Sequence, residues 1–261
     1  MRFTRAIVRP PTANFAAGLS SAGQGPPDFA LALKQHSAYA AALRQCGLQV
    51  TTLAPDAAHP DATFVEDTAI VTERGAILTR PGAPSRTGEI DGISEPLRRF
   101  YGSLAEISAP GTVDGGDICE ADGHFLIGIS ARTNDAGASQ LAEHLRSLKY
   151  TSSTLDIRAT PGLLHLKSGI AYLGDGVWAA DGAIRGALRG HGAIRARDLI
   201  AVPAKEAYAA NCVRVNDSVL VAAGYPHMVA ALNGRGLHVV QLEMSEFRKM
   251  DGGLSCLSLR F

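Results

Sequence analysis

Apolar runs along the chain recur as pairs joined by short polar turns, which is the pattern of antiparallel hairpins. Two of the joining turns are Asp122-Gly123 and Asp175-Gly176, a dipeptide that strongly favours a tight hairpin turn. The four predicted hairpins pair Thr68–Thr72 with Ala76–Thr79, Asp117–Glu120 with His124–Ile129, Gly169–Leu173 with Val177–Ala180, and Val213–Val215 with Val219–Ala222. Their starts lie about fifty residues apart, a period typical of propellers and arrays.

Between successive hairpins the pattern changes to a helix followed by a strand. The predicted helices are Ile90–Tyr101, Asp135–Lys149, Ile184–Arg189 and Pro226–Leu232, and the predicted strands are Leu104–Ser108, Thr154–Ile157, Leu199–Val202 and Leu237–Leu242. The N-terminal part contains a predicted strand at Arg5–Arg9, a mobile loop at Phe15–Pro27 long enough to be a lid, a helix from Asp28 to Gly47, and a strand at Leu48–Leu53.

The C-terminal residues supply the missing part of a fifth repeat. Gly252-Gly253 precedes an alternating run in which Leu257, Leu259 and Phe261 face away from the polar positions. The alternation predicts a strand at Cys256–Arg260, which we expect to pair with Arg5–Arg9. Such pairing of the termini would close the ring and remove exposed sheet edges. The sequence therefore predicts one α/β domain over residues 1–261, a five-bladed pseudo-symmetric α/β propeller.

Composition narrows the class of protein without identifying it. The chain of 261 residues is 46% hydrophobic and 19% charged with a formal net charge of zero, as in an ordinary soluble protein with no field that attracts nucleic acid or membranes. The basic stretch Arg185, Arg189, His191, Arg195 and Arg197 lacks aromatic neighbours and is interpreted as a solvated face. No signal-like or membrane-length apolar run occurs, and four scattered cysteines indicate a reducing cytoplasm. A homodimer is left open.

Polar residues stand just before the first strand of each hairpin. They are Glu66-Asp67, Asp114 with Asp117, His165, Asn211-Cys212, and Gly252-Gly253 with Cys256. Each has an ordinary alternative, since acids occur in turns and a lone histidine or cysteine is often a core residue. Equivalent positions in one repeat should nevertheless converge on a central cavity, which favours a functional site.

Cysteine, histidine and a carboxylate together form the pattern of an activated thiol. Thiolate is the nucleophile, histidine can protonate a leaving group and then activate water, and a third group fixes the tautomer of the histidine. The surplus acids Asp61, Glu66 and Asp67 favour a cationic substrate. The histidines lack metal-ligand spacing, and no nucleotide-binding fingerprint occurs, so no cofactor or metal is expected.

Four motifs carry a resemblance to a known family. Phe64-Val65-Glu66-Asp67-Thr68, Asp114-Gly115-Gly116-Asp117, Leu164-His165-Leu166-Lys167-Ser168-Gly169 and Gly253-Leu254-Ser255-Cys256 occur in this order. They resemble the guanidine-modifying pentein superfamily, and within it the dimethylarginine dimethylaminohydrolases, over essentially the whole chain. The five-bladed α/β propeller of that superfamily agrees with the repeat.

The resemblance implies hydrolysis of N-ω-methylated arginines to citrulline and a methylamine, without a cofactor or metal. Cys256 would form a covalent thiouronium adduct, His165 would act as acid and then as base, and Asp114 would hold the histidine, where some members have glutamate. Substrate contacts would come from Glu66 and Asp67 on the guanidinium, Asp61 nearby, Arg86 and Arg132 on the α-carboxylate, Leu19 in the lid, and the Met250 carbonyl on the amino group.

Two other functions remain open at this point. An arginine deiminase or related amidinohydrolase would use the same fold, although known deiminases carry an additional helical module for which this chain has no room. A non-catalytic pentein that binds a macromolecular partner would have no functional need for Cys256 or His165.

Overall fold

Five three-stranded sheets make up the fold in the part of the chain that the structure, a computed structural model, describes, namely residues 2–188 and 199–261. The helices are α1 Phe29–Gln45, α2 Asp91–Tyr101, α3 Asp135–Ser147, α4 Leu166–Gly169, α5 Gly182–Ala187, α6 Pro226–Gly234 and α7 Ser245–Arg248. The strands are β1 Arg5–Val8, β2 Gln49–Thr52, β3 Ala69–Thr72, β4 Gly75–Leu78, β5 Ala105–Glu106, β6 Ile118–Ala121, β7 His124–Ile129, β8 Thr151–Asp156, β9 Ile170–Gly174, β10 Val177–Ala180, β11 Leu199–Ala201, β12 Val213–Val215, β13 Ser218–Ala222, β14 His238–Leu242 and β15 Leu259–Arg260.

The chain divides into two compact units. One combines the N-terminal residues up to Glu66 with Cys212–Phe261, and the other is Asp67–Asn211. Every sheet in both units has the same plan, since an antiparallel pair is followed by a third strand that returns parallel to the second. The predicted repeat of strand, turn, strand, helix and strand is therefore confirmed.

The unit Asp67–Asn211 holds the sheets β3-β4-β5, β6-β7-β8 and β9-β10-β11. One apolar cluster packs α3 on the first two sheets through Ile77, Ile127 and Leu141, none of which is exposed. A second cluster joins the next sheet to α4 and α5 through residues such as Ile170 and Ile184. The two clusters hold the ends of these sheets in place, and with them the short turns that precede each hairpin.

The other unit holds the sheets β12-β13-β14 and β15-β1-β2. In the second of these, β1 is the central strand, parallel to β2 and antiparallel to β15, with Ala6 opposite Arg260 and Ile7 opposite Leu259. The predicted pairing of the two termini is thus confirmed. Helix α1 begins where predicted, because the Asp28 side chain accepts a hydrogen bond from Leu31 N at 2.8 Å.

A buried histidine on α1 has no role in any predicted site. His36 is 4% exposed, and its Nε2 has no hydrogen-bond partner. Burial lowers the pKa of His36 to about 4, although a hydrogen bond with the backbone of Arg9 partly opposes the shift. This imidazole is therefore neutral in the folded protein at neutral pH.

The C-terminal strand is shorter than predicted. The strand is limited to Leu259–Arg260, whereas Ser255–Leu257 forms a 3₁₀ turn, so the prediction that Cys256 opens the strand was wrong. Because of this turn, Gly253 N lies 3.5 Å from Cys256 Sγ and donates to it, a contact that an extended chain would not allow. Cys256 thus precedes the sheet-closing strand rather than belonging to it.

Smaller differences affect the other elements. Strand β8 begins at Thr151, three residues before the predicted start, and β5 is limited to two residues. The helix predicted at residues 184–189 is α5, and its predicted end falls at Arg189, outside the described residues. Of the basic stretch, Arg185 is exposed and the remaining members lie outside the described residues. Among the helices that the structure describes, none combines the length and apolar character needed to cross a membrane.

Candidate active site

The candidate residues Glu66, Asp67, Asp114, His165 and Cys256 lie on a short helical turn or next to one, before the first strand of a hairpin. These turns are Val65–Thr68, Gly115–Asp117, Leu166–Gly169, Ala204–Ala210 and Ser255–Leu257. Asp114 and His165 occupy the residue before their turns, and Asp67 and Cys256 lie within theirs. The equivalence that the sequence pattern predicted is therefore present in the backbone.

In the unit Asp67–Asn211, His165 is bonded to a buried carboxylate. Its Nε2 lies 3.0 Å from Asp114 Oδ2, and Asp114 has no exposed surface. The other oxygen of Asp114 accepts a hydrogen bond from Gly82 N at 2.8 Å. Because Asp114 accepts at both oxygens, Nε2 carries the proton, and Nδ1 is the nitrogen left to exchange a proton with another group. The predicted contact between this acid and the histidine is observed.

Asp67 and Arg86 form a buried ion pair beside the same histidine. Arg86 Nη1 donates to Asp67 Oδ2 at 2.6 Å, and Gly116 N donates to Asp67 Oδ1 at 2.8 Å. Glu89, which was not predicted, receives the other edge of the guanidinium from Nε at 2.9 Å and from Nη2 at 2.8 Å. Arg86 is thus held between two acids in a bidentate geometry typical of arginine.

Three acids control the charge of His165. Burial by itself would lower the pKa of His165, but the charges of Asp67, Asp117 and Asp114 and the hydrogen bond with Asp114 raise it to about 9. Burial favours protonation of Asp67, whereas the charges of Arg86 and His165 lower its pKa to about 2. At neutral pH the cluster therefore holds an imidazolium among carboxylates, a state suited to proton donation.

The cluster does not fit a metal ion. Ligand-type atoms of Asp67, Asp114 and His165 lie within 4.8 Å of one another. Both oxygens of each carboxylate, however, already face N–H groups, and Arg132 Nη1 approaches Asp114 Oδ2 at 4.0 Å. The oxygens that a metal ion would need as ligands therefore already accept hydrogen bonds, so the arrangement suits a proton rather than a metal.

In the other unit, Cys256 lies next to a buried acid. Its half-buried thiol sulfur accepts from Gly253 N at 3.5 Å, and the Oγ of the adjacent Ser255 lies 4.0 Å from it. Ser255 Oγ donates to Glu66 Oε2 at 2.8 Å, and Arg260 Nη2 lies 3.5 Å from Glu66 Oε1. The carboxylate of Glu66 is therefore fixed beside the cysteine turn. None of the four cysteines, all within the described residues, forms a disulfide.

The predicted lid residue is docked in the same unit. Leu19 N donates to both oxygens of Asp61 at 3.1 Å, while the Leu19 side chain is 42% exposed. The next residues bind the segment around the buried Met250, since Ser20 Oγ donates to Lys249 O at 2.7 Å and Ser21 donates to the Asp251 carboxylate. Asp61 and Met250 are thus in contact with the lid region, and residues 18–28 form neither helix nor strand.

The predicted residues therefore fall into two groups. Asp67, Arg86, Asp114, Arg132 and His165 are brought together in one unit, and Leu19, Asp61, Glu66, Met250 and Cys256 lie in the other.

Sequence reasoning missed Glu89, although its spacing of three residues from Arg86 was a usable signal. It also grouped Asp117 with Asp114 before the second hairpin but gave it no role, whereas the structure buries it completely in a hydrogen-bond network.

Comparison with known proteins places the chain in a family. No family model matches it. N(G),N(G)-dimethylarginine dimethylaminohydrolase of Pseudomonas aeruginosa is 43% identical over 260 residues, covering 99% of this chain and 100% of that protein. A solved structure of the Pseudomonas aeruginosa enzyme, a Cys→Ser mutant complexed with citrulline, has a TM-score of 0.93 and 42% identity and covers 100% of both chains. A dimethylarginine dimethylaminohydrolase with a His→Gly substitution, solved as an adduct with S-methyl-L-thiocitrulline, has a TM-score of 0.94 and 43% identity and covers 99% of this chain and 100% of that one.

Five repeats of one β-hairpin, helix and strand, matched end to end by these structures, define a guanidine-modifying enzyme of the pentein class, and the predicted fold class is confirmed. More narrowly, the chain belongs to the dimethylarginine dimethylaminohydrolase family, whose named members are hydrolases of a carbon–nitrogen bond in a linear amidine.

Proposed function

We propose that this chain hydrolyses N-ω-methylated arginines, both dimethylarginine and monomethylarginine, to citrulline and dimethylamine or methylamine. The observation that carries the proposal is the buried contact between His165 Nε2 and Asp114, in a cluster of acids that raises the pKa of His165 to about 9, on a chain that matches the family from end to end. A cationic substrate and a proton donor poised at neutral pH are what this reaction requires.

Substrate binding follows from the two groups of residues. Glu66 and Asp67 are proposed to bind the guanidinium, with Asp61 as a nearby polar contact. Arg132, which is only partly buried, and Arg86 are proposed to bind the α-carboxylate. Leu19 is proposed to cover the substrate and the Met250 carbonyl to bind its amino group. Because Arg86 also holds Asp67, it is expected to link recognition of the two ends of the substrate.

The chemistry is proposed to run in two halves. The thiolate of Cys256 attacks the guanidinium carbon, and His165 gives its proton to the departing dimethylamine, which leaves a thiouronium adduct on sulfur. A water molecule then attacks the same carbon while His165 takes one of its protons. The carbon–sulfur bond then breaks to return the thiolate, and the second proton of the water passes to solvent as neutral citrulline is released. Asp114 orients the imidazole throughout.

The relatives support this assignment of roles. A family member bearing a Cys→Ser substitution was obtained with citrulline, and one bearing a His→Gly substitution was obtained as an adduct with a thiocitrulline. Both ligands are chemically close to the product and to a sulfur-substituted intermediate.

We propose that residues 1–261 act as one catalytic domain, since the candidate residues come from both units. We also propose that the chain acts in the cytoplasm, without a cofactor, nucleic acid or membrane partner. Sedimentation would distinguish a monomer from a homodimer.

Turnover of matched substrates tests the proposal. Citrulline formation is measured with dimethylarginine, monomethylarginine and free arginine at equal concentrations. We expect the methylated substrates to react faster, whereas ammonia release from arginine at the higher rate would favour a deiminase. Cys256→Ser should abolish turnover, and unchanged citrulline production by this variant would favour a non-catalytic pentein. Mass spectrometry of the quenched enzyme should show an adduct on the peptide that contains Cys256.

A further inference from the structure

Asp117 is a buried acid with no assigned role beside His165. It has no exposed surface, and it lies at the end of the turn Gly115–Asp117. Its Oδ2 accepts from Ser130 Oγ at 2.6 Å and from Thr133 Oγ1 at 2.7 Å, and its Oδ1 accepts from Leu166 N at 3.0 Å. Three donors on one buried carboxylate, from two distant segments of the chain, call for a physical explanation.

The directions of these hydrogen bonds follow from the available lone pairs. Ser130 Oγ already accepts from Arg132 N at 2.9 Å and from Thr133 N at 3.1 Å, which uses both of its lone pairs. The Ser130 hydroxyl must therefore donate to Asp117. Burial raises the pKa of Asp117, but the three donors and the charge of His165 oppose that rise. The pKa of Asp117 stays raised on balance, but the three donors face both of its oxygens, so the carboxyl group accepts hydrogen bonds at both.

Each of these bonds leads to a candidate active-site residue. Arg132 N is connected to Asp117 through the Ser130 hydroxyl, and Asp114 N is connected through the Thr133 hydroxyl, to which it donates at 3.1 Å. Leu166, bonded directly, is the residue that follows His165. One carboxylate therefore fixes the backbone at three places from which the proposed acid–base pair and a carboxylate-binding arginine project.

We propose that Asp117 is a positioning residue that holds Asp114, His165 and Arg132 in register and supplies a fixed negative charge beside the imidazole. It does not touch substrate, and it acts through these three residues. This inference rests on the proposed function for its kinetic consequences but not for its geometry.

The other charged groups around His165 are accounted for separately. Asp67 and Asp114 are the other acids that raise its pKa, and Arg132 approaches Asp114. Further titratable groups lie on the elements packed against α4. They are Cys119 and Glu120 on β6, Tyr172 on β9, Asp181 before α5, Arg185 on α5, and Lys205, Glu206 and Tyr208 on the turn Ala204–Ala210. Asp181 serves as the helix cap of α5 by accepting from Ile184 N. Asp117 joins the backbone of the histidine turn to the loop that carries Arg132 through Leu166 N, Ser130 and Thr133.

Asp117→Asn is the informative substitution, because it keeps the shape and removes the charge. An amide in either orientation places its NH₂ group against a group that must donate, either Leu166 N–H or the Ser130 hydroxyl. Removing one nearby opposite charge should lower the pKa of His165 by about one unit. We expect the basic limb of the kcat profile, and the NMR titration of the His165 imidazole, to move to lower pH by that amount.

Two further variants separate positioning from charge. Ser130→Ala cuts the connection to Arg132 and leaves the carboxylate, so the KM for dimethylarginine should rise about tenfold, the typical effect of one lost buried hydrogen bond, while the His165 titration stays in place. Asp156→Asn, on an exposed acid paired with Arg158, is the matched charge control and should change neither quantity.

The outcomes decide the inference in each case. An Asp117→Asn protein that loses only thermal stability, with its His165 titration, kcat profile and KM unchanged, overturns it. If Asp117→Asn does not fold, Ser130→Ala decides, and an unchanged KM there overturns the positioning role. The NMR titration needs no turnover, so it remains decisive even if the unsubstituted protein fails to hydrolyse methylated arginines, a result that would count against the proposed function alone.

Discussion

The absence of a side chain at Gly116 is expected to be essential for catalysis. A Cβ at this position would lie 2.7 Å from His165 Nδ1, 2.8 Å from His165 Cγ and 3.1 Å from Asp67 Oδ1. The backbone of Gly116 is outside the left-handed region, so alanine is not excluded by its own dihedral angles. Gly116→Ala therefore tests contact with the imidazole rather than backbone strain.

The size of the effect can be worked out from these distances. Carbon and nitrogen atoms without a hydrogen bond settle at about 3.5 Å or more, so the imidazole must move by roughly 0.8 Å. A misplacement of about 1 Å costs on the order of 100-fold in rate, and we expect kcat/KM to fall by roughly 10- to 100-fold. The same movement strains the bond from His165 Nε2 to Asp114, and such overpacking typically costs about 1–3 kcal/mol of stability.

The assay is citrulline formation from dimethylarginine together with urea denaturation. Gly182→Ala is the matched control, because a Cβ there meets nothing within 4 Å and the position opens helix α5. We expect the control to keep full activity and to gain up to about 1 kcal/mol in the free energy of unfolding. Gly116→Ala with the activity of the control would show that His165 is not confined as the structure indicates.

Three other predictions concern stability and the lid. Relative to the His36→Leu variant, the unsubstituted protein should become less stable to unfolding as the pH falls. Because the pKa of His36 in the folded protein is about 4, its contribution to the free energy of unfolding is complete above pH 6.5 and is lost as the pH falls through 4, about 3 kcal/mol in total. Free energies from urea unfolding that change in parallel for the two proteins between pH 7 and pH 4 would contradict this. Deleting Ser255–Phe261 removes the partner strand of β1 and two buried leucines, so the free energy of unfolding should fall by roughly 3–6 kcal/mol, or folding should fail. Cys256→Ser should abolish activity alone. An unchanged melting temperature of the truncated chain would refute the proposal that the terminal strands close the sheet. Asp251→Gly keeps the positive φ of this position but removes the carboxylate that holds the lid, so proteolysis within residues 18–28 should become about 5- to 100-fold faster. Lys149→Gly, at another positive-φ position, is the control. Equal cleavage rates in both variants would count against the lid contact.

The fold was predictable where local chemistry determines it. Asp122 and Asp175 adopt positive φ of 51° and 53° and are followed by glycines at 81° and 75°, the geometry that an Asp-Gly turn requires. Because each hairpin is set by its own turn, four hairpins could be located without tertiary information. The end of the chain was harder to predict, since alternation from Cys256 onward suggests a strand but cannot show that three residues are turned towards Gly253 and Glu66.

The site was predictable to the extent that repetition marks equivalent positions. Asp67, Asp114 and His165 could be grouped because each lies within five residues of the first strand of a hairpin. Hydrogen-bond networks between side chains on distant segments produce no such repeating pattern in the sequence. Asp117 meets its partners 13, 16 and 49 residues away, and nothing in the sequence around Ser130 indicates a buried acceptor.

The acids of the cluster serve two different steps of the proposed reaction. Before chemistry they attract a cationic guanidinium and keep a proton on His165, and these are the same electrostatic effect acting on two cations. Formation of citrulline replaces the guanidinium by a neutral urea, so the attraction between Asp67 and the bound group falls sharply. In a buried site, where charges interact more strongly than in water, this loss is large enough to favour release. A cluster tuned to donate a proton to the leaving amine is therefore also tuned to hold substrate more tightly than product.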